Sequence, residues 1–150
     1  MFYIFKFAYD LCYYFIIYIK CFCKLKNVEH RLSLIKTNNW TIIDDSYNSN
    51  PIGFFNAVEL FKNIKNLKVI ITPGIIEKNN DDELDKKIAY QLIKNFDLII
   101  LINNPSFSHL IDKKISFYTF KEAYNYLKEN YSEQSLTILI ENDLPEIFIK

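Results

Sequence analysis

LKVIITPGIIEKNNDDELDKKIAYQLIKNFDLIILI, residues 67–102, carries two continuous apolar runs on either side of an amphipathic segment. The runs LKVIIT (67–72) and DLIILI (97–102) are rich in Ile and do not alternate with polar residues, the pattern of strands covered on both faces. Between them Leu84, Ile88, Leu92 and Ile93 recur at helical spacing, with Asp81, Asp82 and Glu83 at the positive end and Lys94 at the negative end. Strand, helix and strand in this order form a βαβ unit, which implies a parallel sheet.

The same grammar extends in both directions. Toward the C-terminus, residues 119–130 place Phe120, Ala123, Tyr124 and Leu127 on one stripe, with Thr119 as the cap and Glu122 three residues on. LTILI (136–140) is a third buried strand, and residues 115–118 add an outer one. Toward the N-terminus, residues 51–64 align Phe54, Ala57, Val58, Phe61 and Ile64, with Asn50 as N-cap and Pro51 in the first turn, where its missing N–H costs nothing. Residues 32–36 and 40–44 are short strands joined by Asn38-Asn39 into a hairpin. These stripes are core faces rather than cofactor boxes. The expected fold class is α/β, a Rossmann-like three-layer domain with a mainly parallel sheet and one core. A composition boundary near Asn27 divides a helical lead-in (1–27) from the α/β domain (28–150).

Composition excludes several functions. The 150 residues are 50% hydrophobic and 17% aromatic, which suits one globular domain. With 18 basic against 18 acidic side chains the net charge is zero, so no long-range attraction to a nucleic acid is expected. Gly53 and Gly74 are the only glycines, too few for a GxxxxGK[ST] phosphate loop or a GxGxxG dinucleotide fingerprint. Cys12, Cys21 and Cys23 cluster in the first 23 residues, an odd number without the spacing of a zinc knuckle; they read as reduced thiols in a cytoplasmic protein, with no metal site. The apolar run 11–19 is enclosed by Asp10 and Lys20 and falls short of the about 20 residues that a membrane span needs. No small-residue cleavage site follows it, which disfavours a signal peptide; helices packed against protein are expected there, with a membrane-associated segment as the alternative.

The polar cluster IDDSYNSNP (43–51) follows a strand and opens a helix, where α/β sheets receive ligands: side chains at the strand's carboxyl end face a crevice and the helix offers free N–H groups. A turn rich in Asx and Ser for conformational reasons accounts for part of the same pattern. Thr72-Pro73-Gly74, with Glu77 beyond, ends another strand, and Gly74 there permits a positive φ and close backbone approach. Val28-Glu29-His30-Arg31 precedes the first strand; Arg31 suits either an ion pair with a nearby acid or a ligand contact. Glu141-Asn142-Asp143-Leu144-Pro145 closes the last strand and reads equally as a plain terminus. His109 stands alone and Ser46 lacks a GxSxG elbow, so hydrolytic chemistry has little support.

VEHRL (28–32), IDDSYNSNP (43–51) and ENDLP (141–145), with VIITPGIIE between them, together resemble the C-terminal domain of the Mur ligases. The resemblance runs over residues 28–145 and is nearest to the subgroup that adds D-alanyl-D-alanine to UDP-N-acetylmuramoyl tripeptide. It implies ATP-dependent amide ligation in peptidoglycan synthesis, in which a carboxylate becomes an acyl phosphate that an incoming amine attacks. By position, Arg31 resembles the arginine that reaches the ATP phosphates, and Asp45 the acid that hydrogen-bonds the ribose. Tyr47, Asn48 and Asn50 fall in the loop lining the nucleotide, and Thr72, Gly74 and Glu77 lie where the incoming dipeptide is met. The phosphate loop, the Mg2+ ligands and the modified lysine of such enzymes belong to a central ATPase domain, which this sequence does not contain beyond a lead-in similar to that domain's last helices.

The expectation is therefore a truncated or split ligase: ATP shared with an ATPase domain in cis or trans, Mg2+ held by the complete enzyme rather than by this chain, no catalytic residue of its own, and little activity alone. The alternative is an inactive nucleotide- or protein-binding module, such as the relic of a decayed gene.

Overall fold

A sheet whose central strands are apolar on both faces must be covered twice, and the chain does this with helices on either side. The computed structural model describes residues 33–47, 50–75 and 81–141. The lead-in expected at residues 1–27 lies outside the described residues. In chain order the elements are β1 (Ser33–Lys36), β2 (Trp40–Asp45), α1 (Pro51–Leu60), β3 (Leu67–Thr72), α2 (Asp82–Asn95), β4 (Leu98–Ile102), α3 (Pro105–Ser108), β5 (Ile115–Phe117), α4 (Phe120–Tyr131) and β6 (Leu136–Glu141).

The six strands lie in the order β1-β2-β6-β3-β4-β5. All neighbours are parallel except β1 and β2, the expected hairpin. Its turn is closed by the Thr37 N–H donating to the Trp40 carbonyl at 2.9 Å and the Trp40 N–H donating to Thr37 Oγ1 at 3.1 Å. β6, the last strand in sequence, pairs with β2 on one side and β3 on the other. Every one of its residues is buried, whereas the edge strand β1 alternates between half-buried and exposed.

The sheet divides the interior in two, where one core was expected. Phe54, Ala57, Val58 and Phe61 pack with Ile88, Ala89 and Leu92 over Ile70, Leu101 and Leu139, placing α1 and α2 on one face. Ala123 and Leu127 of α4 cover Ile42, Ile71, Ile100 and Ile138 on the other. Fully burying a side chain of this size is worth about 1.5–3 kcal/mol, so α4 is held largely by its narrow apolar stripe. The fold is thus the three-layer α/β arrangement.

The caps follow the sequence closely. Asn50 Oδ1 accepts from the Gly53 N–H at 2.8 Å, and Asp81 Oδ1 from the Leu84 N–H at 3.0 Å. Thr119 and Glu122 form a reciprocal capping box. Three expectations need correction. Helix α1 ends at Leu60, and residues 61–63 form turns that still bring Phe61 into the core. Ile93, expected on the buried stripe of α2, is 56% exposed, because Ala89 and Leu92 already fill that face. The four-residue α3 was not expected; Asn104 Oδ1 caps it by accepting from the Phe107 N–H at 3.1 Å, and Pro105 opens it.

Candidate functional site

In a parallel sheet the loops that leave the carboxyl ends of neighbouring strands converge on one edge. Here β2, β6 and β3 end together in Asp45, Glu141 and Thr72. Asp45 is paired in register with Glu141, and Thr72 follows Ile71, whose register partner Ile140 precedes Glu141. Side chains alternate along a strand, so Asp45, Glu141 and Thr72 share the face of Ile43, Leu139 and Ile70, the face covered by α1 and α2. Asp44 points to the other side, where its Oδ1 accepts from the Ser46 N–H at 3.1 Å and shapes the turn after β2.

Glu141 is the unusual member of this row. It has no exposed surface, and neither of its carboxylate oxygens has a hydrogen-bond partner. Burial, reinforced by the negative charge of Asp45, pushes its pKa up to about 9, so the group is a neutral carboxylic acid at physiological pH. Asp45 is 3% exposed. Two carboxyl groups on adjacent strands, one held protonated, give an edge that can bind cationic or proton-donating groups.

The second wall is the turn after β3. Thr72 Oγ1 accepts from the Gly74 N–H at 3.0 Å, and Gly74 adopts φ +78°. The Asn104 side-chain amide donates to the Pro73 carbonyl at 2.5 Å, tying this turn to the one after β4. Asn103, at φ 44°, bends the chain out of β4 toward α3, a conformation that asparagine tolerates better than most residues.

Of the residues singled out in the sequence, Asp45, Thr72 and Gly74 are thus brought to one edge. Asn50 caps α1 beside it, and Tyr47 is 66% exposed in the preceding turn. Arg31, Asn48 and Glu77 lie outside the described residues. Glu141 was seen in the sequence only as part of a polar ending. A carboxylate closing a strand that is apolar apart from Thr137 was the available signal, but its proximity to Asp45 depends on a strand order that local patterns do not encode.

Other features add little. An open hollow of about 400 Å³ lies at the opposite, amino-terminal edge, lined by Thr37, Asn39, Trp40, Tyr124, Lys128 and Ser132. Its aromatic and cationic groups are engaged with one another: Trp40 meets Tyr124 edge-on at 5.8 Å, and Lys128 Nζ sits 4.6 Å from the Tyr124 ring centre. The carboxyl edge, with its uncompensated acid, is the stronger candidate. Among the described residues no three His, Cys, Asp or Glu side chains are grouped to hold a metal ion, and no helix is long and apolar enough to cross a membrane.

No family model matches the chain. It is 28% identical over 119 residues to the UDP-N-acetylmuramoyl-tripeptide–D-alanyl-D-alanine ligase of Buchnera aphidicola subsp. Baizongia pistaciae, an alignment covering 75% of this chain and 26% of that protein. Among solved structures, it superposes on MurF from Acinetobacter baumannii with a TM-score of 0.66 and 21% identity, over 79% of this chain and 28% of the other. The MurF ligase from Thermotoga maritima, solved in complex with ADP, gives a TM-score of 0.65 at 15% identity, with the same coverage of 79% and 28%. A bifunctional folylpolyglutamate synthase/dihydrofolate synthase from Yersinia pestis CO92 gives 0.59 at 10%, over 81% and 29%. At these identities the solved structures establish the fold. The chain spans about a quarter of the length of the relatives it matches. In sequence and in fold it resembles the C-terminal domain of a Mur ligase.

Proposed function

We propose that this domain is the closing module of a Mur-type amide ligase, acting with an ATPase domain in the same or a separate polypeptide to add D-alanyl-D-alanine to a UDP-N-acetylmuramoyl peptide. The observation that carries this reading is the 28% identity over 119 residues to a ligase of that name. The position of Asp44, Asp45 and Ser46 at the carboxyl end of β2, with Asn50 capping α1, supports it.

The residues present suit the nucleoside end of ATP better than its phosphates. Tyr47 offers an exposed ring, Asp45 an acceptor for ribose hydroxyls, and α1 a first turn without acids. The two glycines of the sequence cannot build a phosphate loop, so the triphosphate and Mg2+ would be held by the ATPase domain, with Arg31 reaching toward the phosphates. ATP supplies the phosphoryl group that activates a carboxylate. This chain's part is to orient the nucleotide, exclude water, and meet the incoming amine at the turn after β3.

The decisive experiment is ATP turnover and ligation by the purified chain, alone and mixed with a Mur ligase from which the C-terminal domain has been deleted. Activity in the mixture and none in either part is the expected result. Silence in the mixture, with the chain folded, overturns the proposal in favour of a non-catalytic module.

A further inference from the structure

Asparagine, aspartate and serine serve about equally well as the cap of a helix, since each offers one oxygen to the first turn. Asn104 meets that need with Oδ1, which accepts from the Phe107 N–H at 3.1 Å and starts α3. It also donates from Nδ2 to the Pro73 carbonyl at 2.5 Å, in the turn after β3. A carboxylate has no proton to give to a carbonyl, and the shorter serine side chain carries one oxygen for both partners, so the amide alone performs the two tasks at once. The partners also fix the orientation of the amide, because a carbonyl requires its nitrogen and an N–H requires its oxygen. The residue type therefore reports a task beyond capping.

That task lies at the turn. Thr72, Ile75 and Phe107 are fully buried around it. Gly74 stands at φ +78°, where a Cβ would meet Asn104 Nδ2 at 3.3 Å and the Phe107 ring at 3.4 Å. The turn is thus seated against α3 in one conformation. We propose that Asn104 is a positioning residue for the amine substrate: by tying the turn after β3 to the first turn of α3, it sets where that substrate is met. The tie stands on this geometry; the substrate rests on the ligase reading.

Strand order decides which substrate the tie governs. Asp45 and Tyr47 belong to the carboxyl end of β2 and Asn104 to that of β4, with β6 and β3 between them. Three strand spacings of about 4.8 Å place the two ends about 14 Å apart. Loss of the tie should therefore fall on the amine and spare the nucleotide.

The test uses Asn104→Ser and Asn104→Asp, which keep an acceptor for the Phe107 N–H and lose the donor to Pro73. Thr119→Ala, which removes the cap of α4 on the other face of the sheet, controls for lowered stability alone. In the full chain, hydrogen exchange of the Gly74 amide, followed by NMR, should quicken by about tenfold in both Asn104 variants. In a mixture with a Mur ligase lacking its C-terminal domain, their KM for D-alanyl-D-alanine should rise about fivefold to tenfold, the equivalent of one hydrogen bond, with the KM for ATP within about twofold of the unmodified value. Thr119→Ala should leave both KM values unchanged. Unaltered exchange at Gly74 overturns the tie. Faster exchange with an unchanged dipeptide KM, equal rises in both KM values, or the same rise in Thr119→Ala overturns the positioning role and leaves the ligase reading intact. A mixture inactive with the unmodified chain overturns the ligase reading, and with it the amine as what the turn positions.

Discussion

Asn104 holds Gly74 in place from across the sheet edge: its Nδ2 donates to the carbonyl of Pro73 and would lie 3.3 Å from a Cβ built on Gly74. Phe107 is 3.4 Å from the same point, and Gly74 sits at φ +78°. The turn after β3 therefore requires glycine for its backbone angle and has little space for a side chain. Gly74→Ala should destabilise the domain by about 1–2 kcal/mol from the left-handed conformation alone. Urea unfolding measures this, and an unchanged midpoint would mean that the turn relaxes freely.

The raised pKa of Glu141 makes stability depend on pH in a defined direction. The folded state keeps a proton up to about pH 9, whereas the unfolded chain releases it near 4.5. Between those values the unfolded state binds fewer protons, so stability should fall as pH rises, by at most about 1.4 kcal/mol per pH unit for this one group. The contribution is fully present below 4.5 and lost by about 9. Glu141→Gln should flatten the profile in that window when Tm is followed against pH, and an identical slope in the variant would assign the dependence elsewhere.

Asp45 helps to keep Glu141 protonated, since its charge is the second cause of the shift after burial. Asp45→Asn should lower the Glu141 pKa without restoring an ordinary value, because burial remains. Carboxyl-carbon NMR titration of Glu141 in both proteins reads the displacement directly. An upward displacement would contradict the placement of the two acids side by side.

The two faces of the sheet can be compared by truncation. Leu127 is fully buried under α4, whereas Ile93 on α2 is 56% exposed. Leu127→Ala should cost about 2–5 kcal/mol, and Ile93→Ala less than about 0.5 kcal/mol. Comparable losses from denaturant curves would show that the outer face of α2 is covered in solution.

On the ligase reading, Arg31→Ala and Asp45→Asn should abolish complementation of a Mur ligase lacking its C-terminal domain while leaving the circular dichroism spectrum unchanged. Loss of folded protein in both variants would make the two residues structural instead.

Most of the fold was legible because strand and helix periods leave separate marks. LKVIIT became β3 without change of boundary, and Thr119 with Glu122 formed the capping box their spacing suggested. Ile93 misled because a sequence stripe does not show which of its members a crowded interface has room for. The short α3 carried only Asn104 and Pro105 as signals, too little to separate a helix from a turn. For the site, the loop after β2 was visible in its residue types. The Asp45–Glu141 pair was not, because 96 positions separate the two residues and only the insertion of β6 between β2 and β3 makes them neighbours.

That insertion also sets the order of assembly. During synthesis β2 and β3 emerge long before the strand that joins them, so until residues 136–141 are made both must wait with open backbone edges. The hairpin and the β3-α2-β4 unit can form early from local contacts, but they remain two separate pieces of sheet until β6 threads between them. Such late, long-range closure predicts slow folding and a nascent chain exposed to edge-to-edge aggregation.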